Sequence, residues 1–320
     1  MNKRFSRQEL LIGEDAQQKL ASSKLAVVGL GALGTVASDL LIRAGIGTLT
    51  LIDRDSIEES NLQRQILFNE KDIGEAKAEV AAKKLKEVNS KASINCHVTD
   101  INYKNVDLLS GHDLILDCTD NLYTRFLINE FTKKNNIPWI YAAAVRDHGN
   151  VMVINKETPC FRCSFKEAKG LDTCDTAGVL NTATSLIASL QVNEAIKVLT
   201  KGYPEQNLIH MDLENLEISL IKTSPDKECP VCNGNFEYLD GKKEPELASL
   251  QCSNLYQFQV EDLKTKEIKS KLEKIGEVKG NEDYIFFKNL SIFKNGKILV
   301  RAKDQDHAKA EFAKYIGESV

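Results

Sequence analysis

A turn of three glycines between two short apolar runs limits the folds open to this chain more than anything else in it. Lys24-Leu25-Ala26-Val27-Val28 leads into Gly29-Leu30-Gly31-Ala32-Leu33-Gly34. An amphipathic run then reaches Gly45, and Thr48-Leu49-Thr50-Leu51-Ile52-Asp53 follows. Apolar run, glycines, helical spacing and a second apolar run ending in Asp make a βαβ nucleotide-binding unit. Gly29 permits the tight turn, Gly31 lets backbone N–H groups approach a phosphate, and Gly34 lets helix and strand pack closely. The helix N-terminus adds unpaired N–H donors and a positive dipole end. Asp53 is placed to accept hydrogen bonds from a ribose.

Alone, this motif fits an NAD-dependent oxidoreductase as well as an ATP enzyme. The residues after Asp53 decide between them. Asn61, Arg64 and Lys77 are available to hold a flexible triphosphate, which a dinucleotide site does not require. Lys77 falls in the first turn of a helix, where acids are favoured, and is tolerable there if it points at a phosphate. The site is therefore expected to take ATP.

Buried strands are expected at 92–98, 113–118, 137–144 and 150–154, and helices at 74–88, 122–135 and 181–199. Leu208 to Leu213 and Leu216 to Ile221, joined at Glu214-Asn215, read as an antiparallel hairpin. Residues 6 to 21 form one amphipathic segment. The alternation predicts an α/β fold: a Rossmann-like, mostly parallel twisted sheet with helices on both faces and an antiparallel hairpin late in the sheet. Asp240 to Pro245 reads as a linker. Beyond it lies a small α+β unit, with strands at 255–260, 284–288, 290–294 and 297–301, helices at 261–275 and 305–315, and a hairpin turn at Asn295-Gly296. Residues 1–239 are thus expected to form an ATP-binding domain and residues 247–320 a small C-terminal domain. No ATP-site residue falls in the latter, which is expected to be dispensable for the chemistry; its lysines suit either the docking of an acidic partner protein or a dimer-packing or solubilising appendage.

With 42 basic and 46 acidic residues the chain offers no electrostatic case for nucleic acid. Neither a signal core nor a membrane-length apolar run is visible, so a cytoplasmic protein is expected. Of eight cysteines, four fall in two pairs, Cys160-x-x-Cys163 and Cys229-x-x-Cys232. Each pair can bite one ion, and together they complete a closed four-thiolate shell, the pattern of structural zinc. The five histidines form no recognisable pair or triad.

Taken in order, these blocks resemble the adenylating enzymes of the ThiF/MoeB type, within the superfamily of ubiquitin-activating enzymes. The likeness rests on Arg4-Phe5-Ser6-Arg7-Gln8, the glycine turn, Asp53, Asn61-Leu62-Gln63-Arg64-Gln65, Gly74-Glu75-Ala76-Lys77-Ala78 and Asp117-Cys118-Thr119-Asp120-Asn121. The two cysteine pairs and Cys174-Asp175-Thr176-Ala177-Gly178-Val179-Leu180 complete it. The resemblance implies a substrate, a ubiquitin-like sulfur-carrier or modifier protein ending in Gly-Gly, whose carboxylate attacks Mg-ATP. It further implies that Asp120 holds magnesium, that Lys77 and Arg64 bind phosphates, and that Arg7 reaches across a homodimer to the neighbour's ATP. For Cys174 it leaves two readings open, a nucleophile or sulfur carrier and an inert thiol. It does not say which carrier or pathway is served.

Overall fold

The computed structural model describes residues 3–165, 177–203, 207–243, 255–260 and 263–317. The chain opens with α1 (Ser6–Ile12) and α2 (Glu14–Ser22). The single amphipathic segment expected over 6–21 is broken because Gly13 adopts φ 85 between them, a conformation that ends a helix. β1 (Lys24–Val28), α3 (Ala32–Ala44) and β2 (Thr48–Ile52) form the βαβ unit. Then come α4 (Lys77–Val88), β3 (Ser93–His97), β4 (Leu114–Asp117), α5 (Leu122–Asn135), β5 (Trp139–Val145) and β6 (His148–Ile154). The short α6 (Phe161–Ser164), α7 (Asn181–Lys201), β7 (Asn207–Asp212) and β8 (Glu217–Lys222) complete the larger unit.

Its eight strands lie in the order β3-β2-β1-β4-β5-β6-β7-β8. The first five are parallel and the last three antiparallel. The direction changes one hairpin earlier than the 208–221 pair, at the two-residue turn Arg146-Asp147, where Arg146 has φ 57. The central strands are apolar throughout because both sheet faces are covered. Leu25 and Val27 of β1 join one core with Leu41, Leu114 and Ile187. Ala26 and Val28 join the other with Phe126, Trp139 and Tyr141. Phe161 packs into this aromatic group, 4.9 Å from Tyr141 and 5.3 Å from Phe126 between ring centroids. Glu130 Oε2 accepts the N–H groups of Tyr238 and Leu239, both at 2.8 Å, which ties residues near 239 to α5.

The smaller unit holds β9 (Leu255–Gln259), α8 (Thr265–Leu272), β10 (Lys279–Gly280), β11 (Tyr284–Phe287), β12 (Leu290–Phe293), β13 (Lys297–Arg301) and α9 (Gln305–Tyr315). Its five strands form an antiparallel sheet in the order β10-β11-β12-β13-β9. Alternation along the strands sorts side chains to two faces. Ile285, Phe287, Ile292, Ile298 and Val300 pack under Leu272, Ala308 and Phe312. Tyr284, Phe286, Phe293 and Leu299 face the other way, against Ala76 and Val98 of the larger unit.

Candidate active site

The order β3-β2-β1-β4 places neighbouring connections on opposite faces of the sheet, so a crevice opens beyond the carboxyl ends of β1 and β4. The glycine turn sits there. Gly29 has φ +89, and a Cβ on it would lie 2.7 Å from the Cys118 carbonyl oxygen. A Cβ on Gly34 would lie 1.9 Å from the Gly29 carbonyl oxygen, so α3 closes on β1 only with glycine at 34. Nothing lies nearer than 4.0 Å to a Cβ on Gly31, where the nearest atom is Gln65 Nε2. That side of the turn is open.

Asp53 follows β2 and is buried. Its two carboxylate oxygens accept the N–H groups of Leu30 at 2.6 Å and Asp55 at 2.7 Å, so it fixes the turn and keeps a second lone pair on each oxygen. Burial raises its pKa, and the charge of Asp55 adds to this against the pull of Lys77. Lys77 is only 6% exposed, and its Nζ lies 3.6 Å from Asp55 Oδ2. Burial works against its charge, but Asp55, Asp53, Asp120 and Glu58 outweigh it and hold its pKa above the ordinary lysine value. A lysine drawn by four acids, with the Asp55 carboxylate at 3.6 Å, is charged and can still be recruited by a phosphate.

Asn61 closes a helical turn at 59–61, accepting the Glu58 N–H through Oδ1 at 3.1 Å. Its Nδ2 remains as a donor. Arg64 is half-buried and donates through Nη1 to the Ser60 carbonyl at 3.0 Å. Asp120 is exposed at the mouth, between β4 and α5, close enough to act electrostatically on both Lys77 and Arg54. Such a carboxylate suits magnesium, which keeps several waters and takes one or two carboxylates together with phosphate oxygens. Asp117 supports the loop after β4, accepting Thr119 N–H and Oγ1–H at 3.0 and 2.6 Å.

Three further residues of this neighbourhood have no role assigned from the sequence, although Gln65 closes the Asn61–Gln65 block. Gln65 is buried beside Gly31 with its Oε1 lacking a hydrogen-bond partner among the described residues. Arg54 and Asp55 are the half-buried ion pair that supports Lys77. Arg7 lies elsewhere, exposed on α1 beside the exposed Leu10 and Leu11. Arg4 donates to the Val88 carbonyl at 2.6 Å, which makes it a cap on α4 and not the solvated helix end its position suggests. Cys174 lies outside the described residues.

Cys160, Cys163, Cys229 and Cys232 come together, with all four sulfurs within 4.8 Å of one another. Sulfur separations of 3.7, 3.5 and 3.6 Å approach the edge of about 3.8 Å for a tetrahedron with zinc–sulfur bonds of about 2.3 Å. Burial raises the Cys160 thiol far above its ordinary value and Cys232 to about 11. Burial acts on Cys163 as well, but backbone and thiol hydrogen bonds outweigh it and draw that thiol below the ordinary value. Four sulfurs converging at these separations form a donor set that fits zinc.

Fold and site together define a nucleotide-binding α/β enzyme whose phosphate turn is backed by buried charge. The ThiF family profile matches residues 5–231, and the chain belongs to that family. It is 33% identical to the sulfur carrier protein ThiS adenylyltransferase of Bacillus subtilis, over 99% of this chain and all of that one. It is 32% identical to the SAMP-activating enzyme E1 of Haloferax volcanii, over 72% of this chain and 88% of the other. The solved structure of E. coli MccB with ATP overlays with a TM-score of 0.65 at 27% identity, covering 72% of this chain and 74% of that one. The chain is accordingly an adenylyltransferase of the ThiF/MoeB type. These relatives lend no support to the oxidoreductase that the glycine turn alone would permit.

Proposed function

We propose that this enzyme adenylates the C-terminal Gly-Gly carboxylate of a ubiquitin-like sulfur-carrier protein. A carboxylate oxygen of the carrier attacks the α-phosphorus of ATP. The bond from that phosphorus to the bridging oxygen breaks, and pyrophosphate leaves with its electron pair. The nucleophile is already ionised at neutral pH, so catalysis consists of positioning and charge neutralisation.

The observation that carries this reading is the charged Lys77 beside an open glycine turn at the switch point of the sheet. Lys77 and Arg64 hold phosphate oxygens, and Asn61 donates to another through Nδ2. Asp53 takes the ribose, and Gln65 Oε1 accepts a nucleotide donor at the back of the cradle. Asp120 would hold magnesium, which would supply positive charge against the charge that develops on pyrophosphate. Arg7, exposed on α1, completes the phosphate shell of a second copy in a homodimer. No helix among the described residues is long and apolar enough to cross a membrane, and the enzyme is proposed to act in the cytoplasm.

Magnesium-dependent ATP–pyrophosphate exchange should therefore appear on adding a ThiS-type carrier and vanish in folded Asp120→Ala protein. Exchange at the wild-type rate in that variant would remove the magnesium role from Asp120. No exchange by the wild-type chain with any Gly-Gly-ended carrier would sink the reading as a whole. Cys174→Ser should keep exchange, since adenylate formation uses only ATP and the carrier carboxylate. If Cys174 takes up the acyl group or carries sulfur, adenylate will accumulate in the variant; sulfide transfer at the normal rate assigns it no chemical task.

A further inference from the structure

Two side chains of β13 reach the larger unit: Lys297 meets the segment after β3, and Arg301 the loop after β2 that carries the ATP site. Lys297 is 7% exposed and pairs with Asp100 through Oδ2. The same oxygen lies 4.0 Å from Arg54 Nη1. Arg54 turns its Nε towards Asp55 Oδ1 at 3.6 Å, and Asp55 offers its other oxygen to Lys77 at 3.6 Å. Charges therefore alternate along a row from the C-terminal sheet to the phosphate lysine: Lys297, Asp100, Arg54, Asp55, Lys77. Beside this row, Arg301 Nη2 lies 2.9 Å from Glu58 Oε1, and Glu58 in turn acts on Lys77.

In such a row each ion is shared, and its position reports a competition. Lys297 competes with Arg54 for Asp100, and Arg54 competes with Lys77 for Asp55. Partly buried charges are weakly screened, so removing one end shifts the balance at the other. Without Lys297, Asp100 draws Arg54 away from Asp55. Asp55 then keeps Lys77 as its near ion-pair partner at 3.6 Å, with Arg301 acting on it as well, and closes on Lys77.

We propose that Lys297 is a positioning residue for ATP, which by occupying Asp100 keeps Arg54 on Asp55 and leaves Lys77 available to phosphate. Arg301 acts in the same direction by engaging Glu58. The proposal rests on Lys77 as a phosphate ligand. It also makes the tail a contributor to ATP binding, contrary to the dispensable unit its sequence suggests.

Titration calorimetry of the full chain with Mg-ATP, without carrier, tests this. Lys297→Met should weaken ATP binding about tenfold, within the range of couplings between neighbouring charges. Arg301→Gln, at an exposed pair, should weaken it about threefold. The informative variant is Asp100→Asn combined with Lys297→Met, which releases Arg54 to Asp55 and should restore affinity to within about twofold of wild type. Loss of docking alone would leave the double variant as weak as the single one, and that result overturns the proposal. So does unchanged affinity in Lys297→Met. If Lys297→Met fails to fold, Arg301→Gln decides alone, with unchanged affinity counting against the idea. A wild-type chain that binds no Mg-ATP would instead refute the nucleotide site itself, a distinguishable failure.

Discussion

Lys77→Met should lower carrier-dependent adenylation by about 10²–10³-fold, the usual cost of removing one preorganised charge from a transition state that develops negative charge. Methionine keeps much of the stem's packing, so the loss reports the ammonium. The variant will also be less stable, because the buried Asp53 and the partly exposed Asp55 lose the cation they share; with Asp55 screened by solvent the cost is about 1–3 kcal/mol. Rates are therefore to be compared at a temperature where circular dichroism shows both proteins folded. The pKa of Lys77 is raised above 10.5, so its contribution is fully present below that value and is lost only as pH climbs through the raised one. The wild-type rate should accordingly show no lysine-type decline below about pH 10. Activity of Lys77→Met within threefold of wild type would move the phosphate contact to another residue.

The second large effect is expected at the four thiols. Metal analysis should find one zinc per chain. Structural zinc is worth about 10–16 kcal/mol in small peptides that have no other core. Here Phe161 is already anchored among aromatic rings and Glu130 holds the backbone near residue 239, so the chain keeps its fold without metal. Stripping the ion should remove on the order of 4 kcal/mol and lower the unfolding midpoint by about 10 °C in a domain of this size. Zinc-free native protein with all four thiols open to alkylation would contradict the assignment.

The glycine turn, Asp53 and the two cysteine pairs are readable from the sequence because each is a local pattern with a chemical reason for its spacing. Strand and helix positions in the larger unit follow from apolar periodicity, and the structure moves their ends by only a few residues. What is not readable is long-range. Arg54 and Asp55 look like ordinary polar residues after a strand, and nothing local announces that Asp100 will meet Lys297. The same holds for Tyr284, whose hydroxyl donates to Glu79 at 2.6 Å. The hydrophobic pattern shows that the tail's strands are amphipathic, but not that their second face closes over Ala76 and Val98. Gly13 is a further case: the periodicity runs through it, and only its φ of 85 shows the break.

The pairing of β9 with β13 has a consequence for biosynthesis. The first strand of the small sheet finds its neighbour only in the last, so this sheet cannot close until residue 301 has been made. Asp100 is synthesised 197 residues before Lys297. At about 5–20 residues per second that is a wait of about 10–40 s, and domains tend to fold in order of emergence. The glycine turn and its parallel strands can thus assemble early, while Asp100 and Glu58 stay solvated until β13 has emerged. A chain interrupted before β13 carries a nucleotide cradle whose outer charges have no counterions from the tail.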